Sequence, residues 1–498
     1  MTDQEKSSIY WIFLKYEQWK QQYRAYDQND VVNHILRQLR AGNATAAPKM
    51  HFLMVDEVQD LTQNLISLLM TMAEKNIFFT GDTAQTIAKG VGFRFYDLKT
   101  IFERESAVSE LHSLMDPPKV LQLTKNFRSH CRILDCANSV VSLLELLFPK
   151  TIDKLLKETS DIDGPKPIVI DQLKQADLQQ LLNNYLIWGG QFNRGAGGAG
   201  GSQGGQYVFG CDRVVIVRDQ ESKERVPEFL KNVLCLTVYE AKGLEFDEVI
   251  LYNFFADTKC PSQWKLLNEV AVEQTVTKKK DLVDFLDFEM LDSEEAAAPQ
   301  EAAAQEEEKK EDGNATTRVE DGTEVSTVLH LKTEFAEVYR KFSQVCTELK
   351  LLYVAVTRPR KLLVIYDDDA SLRSPIQKHW AKVGVVDVVS APMIADSAKL
   401  APSVASVLRV GEAISAEMTE ADQSAVEMQW RVQGIKLFKA KLYLAAKQCF
   451  ENSRDPALLT RCLAYESAEQ AMSLRGQSEA KVAFYKDKNN YLRAHERN

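Results

Sequence analysis

Short apolar runs alternate along the chain with longer segments whose apolar residues recur every three or four positions. Runs of four to seven residues without regular polar alternation are typical of strands buried on both faces of a parallel sheet. The longer segments have the period of amphipathic helices. This alternation predicts an α/β fold with one or two mostly parallel sheets. The strand candidates, all between residues 51 and 367, read HFLMV, IFFT, VLQL, RVVIV, EVILYNF and LLVIYD.

Beyond about residue 400 the strand-like runs stop and a helical pattern follows. In residues 427–459, small or aromatic side chains recur at a spacing that resembles a tetratricopeptide (TPR) helix pair. A single pair also fits an ordinary helical hairpin, so both interpretations stay open. We expect a helical, TPR-like region at 400–498. The residues that carry the spacing are Trp430, Gly434, Tyr443, Ala446 and Phe450.

Two segments have the composition of disordered insertions. Residues 189–206 include nine glycines, which lose much conformational entropy when they become ordered. Residues 290–325 are acidic and rich in alanine, and they offer no apolar face for docking. Both are predicted to be surface insertions in an otherwise folded chain.

The net charge of −10 does not exclude binding to nucleic acid. Nine acidic residues and two lysines lie within residues 292–312, so this segment carries −7 and the rest of the chain is close to neutral. A local basic groove is therefore compatible with the composition.

The cysteines and the first apolar cluster indicate the compartment. Eight cysteines are scattered along the chain, which favours free thiols in a reducing compartment. The cluster IYWIFL at 9–14 is too short for a signal peptide or a membrane span. We expect an intracellular protein, nuclear or cytoplasmic, without a membrane partner.

Two adjacent carboxylates, Asp56 and Glu57, directly follow the first apolar run. Ligands of open α/β sheets bind where the strands end, so carboxylates at this position can reach a ligand. Asp56 suits a Mg²⁺ ion, and Glu57 suits the orientation and deprotonation of a water molecule. For an isolated pair, the favoured interpretation would be two acids that face solvent at a strand end.

The next two apolar runs also end in polar residues. FFTGDTAQTI contains Gly81, Asp82 and Gln85, and the glutamine offers a neutral donor for a phosphate oxygen or a water. VLQLTKNFRSH contains Arg128, a fixed cation that suits phosphoryl oxygens. Taken singly, a turn explains the Gly-Asp pair and a surface ion pair explains the arginine.

Two later segments complete a set of five. LTVYEAKGLEFDEVILYNF precedes and includes a strong strand, and ELKLLYVAVTRPRKLLVIYD joins an apolar helix to another strand. In this order the five segments resemble motifs II to VI of superfamily 1 helicases of the UvrD/Rep type, usually written VDEFQD, GDxxQ, NYRS, TVHxAKGLEF and LLYVAVTRA. Five ordered matches are far more specific than any one of them. GDTAQTIAKGVGFRFYDLK resembles the third motif in the helicase-like region of TPR and ankyrin repeat-containing proteins better than the bacterial form.

The resemblance implies a role for each matching residue in binding and hydrolysis of ATP. Asp56 is expected to bind Mg²⁺ and Glu57 to act as the catalytic base. Gln85 is expected to sense the γ-phosphate, while Arg128 and Arg358 act as arginine fingers. The resemblance also places four further residues near the nucleotide, namely Gly81, Asp82, Gly243 and Glu245.

Nucleic-acid contacts follow from the fifth motif in the same way. The resemblance implies that Thr237 touches the nucleic-acid backbone, and that Tyr239 takes the place of the usual histidine. A tyrosine can still stack on a base. The implied partner is single-stranded nucleic acid, DNA rather than RNA, and the C-terminal helices are a candidate surface for protein partners.

The implied fold consists of two RecA-like P-loop-type domains, the first truncated, with the disordered insertions and a C-terminal α-helical region. We expect a helical region at 1–48, the truncated first domain at 49–118 and the second domain at 119–395. The resemblance places ATP in the cleft between the two domains.

The chain departs from the helicase pattern at the phosphate loop. The sequence contains no Gly-Lys dipeptide, although a helicase needs a glycine-rich loop with a lysine for the β- and γ-phosphates. This first motif is expected before residue 1, so we expect an incomplete chain whose own ATP hydrolysis is absent or weak. The alternative is a catalytically inactive helicase-like scaffold that mediates protein interactions. Pro359 replaces the usual alanine of the last motif and is expected to end the preceding helix.

Overall fold

The computed structural model describes most of the chain outside its long low-complexity segments. The two predicted insertions, at 189–206 and 290–325, lie outside the described residues. Those residues are 3–41, 50–88, 91–108, 119–171, 173–174, 178, 213–230, 233–267, 341–390, 392–393 and 420–473.

The contacts of the chain divide it into two compact units. The first unit comprises Met1–Asn126, Val140–Thr159 and Leu349–Val354. The second unit comprises Phe127–Ser139, Ser160–Glu348 and Ala355–Asn498.

The first unit contains two N-terminal helices followed by a small parallel α/β element. Its helices and strands are α1 (Asp3–Tyr23), α2 (Gln28–Arg40), β1 (Met50–Val55), α3 (Gln63–Met72), β2 (Ala73–Phe79) and α4 (Phe95–Val108). Asp27 caps α2 in a capping box with Asp30, which satisfies backbone donors at the helix start. Strands β1 and β2 pair in parallel, with one shift in register between Met50 and Phe52.

The sheet of the first unit is covered on one face among the described residues. Val55, Ile77 and Phe79 pack against a core that includes Val58 and Ile66. On the opposite face Phe52, Met54 and Phe78 are 64%, 70% and 51% exposed. The prediction that HFLMV and IFFT are buried on both faces is therefore wrong for one face. Apolar side chains of α3, which contacts β2, and of α4, which packs against α3, belong to the core on the other face.

The run VLQL, predicted to be a strand, is an extended segment without a sheet. Leu121 and Leu123 are 84% and 93% exposed. Among the described residues, backbone pairing begins just after this run, with a parallel bridge between Lys125 and Thr159. Within the run, the Gln122 side chain bonds to the backbone of Lys154 and Leu156. The prediction was wrong because an apolar run becomes a strand only when a neighbouring strand satisfies its backbone groups.

Six parallel strands form the sheet of the second unit. They are β3 (Ile168–Asp171), β4 (Arg213–Val217), β5 (Cys235–Thr237), β6 (Phe246–Tyr252), β7 (Pro359–Tyr366) and β8 (Asp387–Ser390). Their order across the sheet is β5-β4-β6-β7-β3-β8, and each neighbouring pair is parallel. The central strands are almost wholly buried, which confirms the α/β prediction for this part of the chain.

Helices alternate with these strands along the described part of the chain. They are α5 (Cys131–Leu147), α6 (Gln220–Glu224), α7 (Val238–Ala241), α8 (residues 341–356) and α9 (Ala370–Val383). Both α5 and α8 contribute residues to each unit. None of the helices in the described ranges is long and apolar enough to cross a membrane.

Three successive helices end the described part of the chain, as the helical pattern predicts. They are α10 (Glu420–Lys439), α11 (Tyr443–Asn452) and α12 (Pro456–Ser473). The short connections make neighbouring helices pack against each other. Gln448 donates from its Nε2 atom to the Val233 carbonyl, which attaches α11 to the sheet region of the second unit. The TPR-like character of these helices stays a prediction.

A close approach between α10 and α11 depends on Gly434. A Cβ atom at this position would lie 2.6 Å from Cε1 of Phe450 and 3.1 Å from Cβ of Cys449. We expect Gly434→Ala to lower the free energy of unfolding by about 1 kcal/mol, because overpacking of about 1–3 kcal/mol exceeds the gain in helix propensity of about 1 kcal/mol. Denaturant unfolding measures the loss. Adding Phe450→Leu should recover part of it, and a Gly434→Ala variant more stable than wild type would contradict the packing argument.

Candidate functional site

Asp56 and Glu57 lie at the carboxyl end of β1, beside the end of β2. The Thr80 N–H donates to the Val55 carbonyl at 2.8 Å, and the Val58 N–H donates to the Thr80 carbonyl at 3.0 Å. Oδ1 of Asp56 accepts from the Glu57 N–H at 3.0 Å and from the Thr80 hydroxyl. These bonds fix an exposed carboxylate where the two strands end.

The buried side chain of Gln59 joins the two strand ends. Its Nε2 donates to Oε2 of Glu57, and its Oε1 accepts from the Asp82 N–H at 3.1 Å. Glu57 itself has a left-handed backbone, with φ 54° and ψ 40°, which is uncommon outside glycine. A Cβ atom on Gly81 would lie 2.4 Å from Oε1 of Gln59, so an alanine there would displace the Gln59 amide.

Sequence reasoning assigned no role to Gln59. The available signal was its position within VDEVQD, two residues after Glu57. Because Gln59 is fully buried and bonds to both strand ends, we infer that it sets the orientation of Glu57.

Gln85 lies at the same sheet edge and is held by Asp82. Gln85 Nε2 donates to Oδ2 of Asp82 at 2.9 Å, and the Ala84 N–H donates to Oδ1 at 2.9 Å. Burial raises the pKa of Asp82 above its ordinary value. The structure therefore brings together the matching residues of the second and third motifs, namely Asp56, Glu57, Gly81, Asp82 and Gln85.

This edge has the donor chemistry that Mg²⁺ prefers. An exposed carboxylate next to a threonine hydroxyl provides hard oxygen atoms, and Mg²⁺ is commonly held by one or two carboxylates together with substrate phosphates. No cluster of three or more His, Cys, Asp or Glu side chains suited to a metal occurs in the described ranges, so an all-protein metal cage is not seen there. Asp56 fits a metal that also binds phosphate.

In the second unit, Arg128 forms an ion pair with Glu245. The distance from Nε of Arg128 to Oε2 of Glu245 is 2.6 Å, and Arg360 approaches the other carboxylate oxygen at 3.6 Å. The two residues after Arg128 bind the start of β7. The Ser129 hydroxyl donates to the Pro359 carbonyl at 2.7 Å, and these contacts join the matching residues of the fourth, fifth and sixth motifs.

His130 adds a second bond to β7 and is neutral in this arrangement. Its Nε2 donates to the Lys361 carbonyl at 2.9 Å, and its Nδ1 accepts from the Ile133 N–H at 3.4 Å. Burial lowers the pKa of His130, and the bond to Lys361 opposes this effect. The side chain therefore acts as a fixed neutral linker.

The lowered pKa of His130 predicts a pH-dependent stability. The unfolded chain binds more protons than the folded chain below about pH 6.5, so the free energy of unfolding should fall as the pH decreases through that range. In His130→Gln the fall should be smaller, because glutamine can keep the bond to Lys361 without titrating. Urea unfolding of wild type and of His130→Gln between pH 5 and pH 8 measures the two pH dependences. Burial also lowers the pKa of His379, so this residue adds to the same loss of stability at low pH. Unfolding of His379→Gln over the same pH range measures its share.

Arg358 is enclosed by its own unit. It is 2% exposed, and its Nη1 donates to the Leu244 carbonyl at 3.1 Å while its Nη2 donates to Oγ1 of Thr357 at 2.9 Å. Helix α8 ends at residue 356 and Pro359 begins β7, which confirms that the helix stops before this proline. The role of Arg358 as an arginine finger stays a prediction, and it requires the guanidinium to become accessible.

Thr237 and Tyr239 differ in accessibility. Thr237 is 4% exposed, and its hydroxyl caps α7 by accepting from the Glu240 N–H at 3.1 Å. Tyr239 is 40% exposed, and burial of the remainder raises its pKa. Tyr239 can therefore reach a ligand directly. The neighbouring Gly243 has a φ of 77°, which favours glycine in the turn before β6.

Both ends of the motif series match family models. The UvrD/REP helicase N-terminal domain matches residues 1–108, and the UvrD-like helicase C-terminal domain matches residues 215–367. The chain therefore belongs to the UvrD-like helicase family. It is 33% identical over 394 residues to the TPR and ankyrin repeat-containing protein 1 of Homo sapiens. The alignment covers 78% of this chain and 12% of that protein.

Proposed function

We propose that the chain hydrolyses ATP and couples this hydrolysis to the binding of single-stranded nucleic acid, as a UvrD-like helicase or translocase. The observation that carries the proposal is the sheet edge of the first unit, where Asp56, Glu57 and Gln85 lie together. Membership in the helicase family supports the same reaction class.

Each side chain at this edge has a distinct task in the proposal. Asp56 would hold Mg²⁺, which would neutralise negative charge on the phosphate groups of ATP. Glu57, oriented by Gln59, takes a proton from the attacking water at its carboxylate. Gln85, oriented by Asp82, donates hydrogen bonds from its amide to a phosphate oxygen or to that water.

The second unit contains further residues that match the helicase motifs, and each is proposed to act by itself. Arg128 and Glu245 are already paired, and a phosphate group can compete with the carboxylate for the guanidinium. Arg358 is the second proposed arginine, and Gly243 gives the turn before β6 a left-handed backbone conformation, with a φ of 77°. Tyr239 presents an exposed ring on which a base can stack.

A single-turnover assay tests the proposal on the full chain. With protein in excess over Mg-ATP, we expect phosphate release that oligo(dT) accelerates and that EDTA abolishes. An oligo(rU) arm distinguishes DNA from RNA. Phosphate release equal to buffer, together with oligonucleotide binding that ATP does not change, would contradict the proposal.

The second candidate is a non-catalytic scaffold for protein partners. The enclosure of Arg358 favours it, because a bound guanidinium needs no nucleotide. Exposed apolar side chains on the C-terminal helices, such as Met428 and Leu444, provide a contact surface. The relative whose name contains TPR and ankyrin repeats is consistent with protein binding, since such repeats form extended binding surfaces. Partner binding without any nucleotide effect in the same assay would favour this candidate.

A further inference from the structure

A chain of hydrogen bonds inside the first unit links Gln85 to a carboxylate outside the five motifs. Gln85 Nε2 donates to Oδ2 of Asp82 at 2.9 Å, and Asp82 also shares a hydrogen bond with the Tyr353 hydroxyl. That hydroxyl donates to Oε1 of Glu158 at 3.2 Å. Asn126 Nδ2 donates to the other oxygen, Oε2 of Glu158, at 2.8 Å. Five side chains thus form one connected network.

The outer end of the network is fixed by the backbone. The Thr159 N–H donates to the Thr124 carbonyl, and the Asn126 N–H donates to the Thr159 carbonyl, each at 2.8 Å. Glu158 directly precedes Thr159, so its side chain starts from a constrained position. Tyr353 is 3% exposed on α8, which leaves its ring little freedom to move.

The Tyr353 hydroxyl lies between two carboxyl groups and therefore ties Asp82 to Glu158. Burial raises the pKa of Asp82, as does the nearby charge of Glu158, whereas the hydrogen bonds from Gln85, from the Ala84 N–H and from Tyr353 lower it. These three hydrogen bonds hold the Asp82 side chain in place.

We propose that Glu158 and Tyr353 are positioning residues for Gln85, acting through Asp82 to fix the Gln85 amide at the edge where β2 ends. This inference rests on the proposed role of Gln85 in ATP hydrolysis. Because neither Glu158 nor Tyr353 contacts the nucleotide in this scheme, their loss affects kcat and leaves KM for ATP unchanged.

Kinetics of five variants of the full chain test the inference. We expect Tyr353→Phe and Glu158→Ala each to lower kcat about tenfold, with KM for ATP within about twofold of wild type. Glu158→Gln keeps an oxygen acceptor for the Tyr353 hydroxyl and should retain most of kcat. Combining Tyr353→Phe with Gln85→Ala should give the same kcat as Gln85→Ala alone, because both changes remove one shared function.

Tyr366→Phe is the matched control. Tyr366 is also buried, and its hydroxyl donates to Oδ1 of Asp368 at 2.9 Å within the second unit. The kcat of Tyr366→Phe should equal that of wild type. Equal kcat in Tyr353→Phe and wild type, or a loss that multiplies with that of Gln85→Ala, would overturn the inference.

A crystal structure of Tyr353→Phe decides the inference without any activity. The Gln85 amide is expected to leave the 2.9 Å contact with Asp82. An unchanged contact would overturn the positioning role even in an active enzyme. If wild type shows no hydrolysis, the proposed function fails while the structure still tests the network. If Tyr353→Phe does not fold, the half-buried Glu158→Ala variant takes its place.

Discussion

Replacement of Glu57 by glutamine is expected to lower kcat for ATP hydrolysis by about 100-fold or more. A positioned general base contributes about 10²–10⁴-fold to a rate, and an amide cannot take up the proton of the attacking water. The glutamine is nearly isosteric and keeps an oxygen acceptor for the Gln59 amide, so the local fold should persist. Phosphate release at saturating ATP and oligo(dT) measures the rate, and a fluorescent ATP analogue measures nucleotide binding.

Glu103→Gln serves as the control for Glu57→Gln. Glu103 is an exposed glutamate of α4, so the same charge change there should leave kcat and binding unchanged. If Glu57→Gln loses nucleotide binding as strongly as it loses kcat, the carboxylate acts in binding and its assignment as the base is wrong. A loss below about tenfold would also contradict that assignment.

The sequence predicted long strands better than short ones. RVVIV, EVILYNF and LLVIYD correspond to β4, β6 and β7, whose continuous apolar character matches burial on both faces. Strands β3, β5 and β8 were not among the predicted runs, because segments of three or four residues give little periodic signal. VLQL has the right composition, but no strand pairs with it among the described residues, which no local pattern can reveal.

The candidate site was partly predictable for a geometric reason. Parallel strands end at one edge of a sheet, so the polar residues after HFLMV and IFFT had to lie close together. The bonds that orient them were not predictable. Glu158 joins the network with Gln85 through contacts between residues far apart in the chain. The enclosure of Arg358 depends on the Leu244 carbonyl, a backbone group that side-chain patterns do not report.

Replacement of Arg373 by methionine is expected to lower the free energy of unfolding by about 3–5 kcal/mol, because it leaves a buried carboxylate without its cation. Arg373 is fully buried on α9, and its Nη1 donates to Oδ2 of Asp367 at 3.0 Å. Its Nη2 donates to the Ile170 carbonyl at 2.9 Å. Asp367 is buried too and also accepts from the Phe255 N–H at 2.8 Å. Denaturant unfolding at pH 7 measures the loss.

The charge of Asp367 makes the loss of unfolding free energy in Arg373→Met depend on pH. Burial raises the pKa of Asp367, and Arg373 opposes this rise, so removal of the arginine should raise the pKa further. A carboxyl group with a raised folded-state pKa stabilises the fold below its unfolded pKa, and this contribution is lost as the pH rises. The deficit of Arg373→Met should therefore shrink between pH 7 and pH 5.

An exposed ion pair provides the comparison for Arg373. Arg431 pairs with Asp455 at 3.0 Å, but its side chain is 49% exposed, so Arg431→Met should cost about 1 kcal/mol or less. Adding Asp367→Asn to Arg373→Met should recover part of the loss, because it removes the uncompensated charge. A deficit for Arg373→Met that equals the one for Arg431→Met and does not change with pH would show that Asp367 finds another partner. That result would mean that the buried pair of Arg373 and Asp367 does not hold α9 against the sheet.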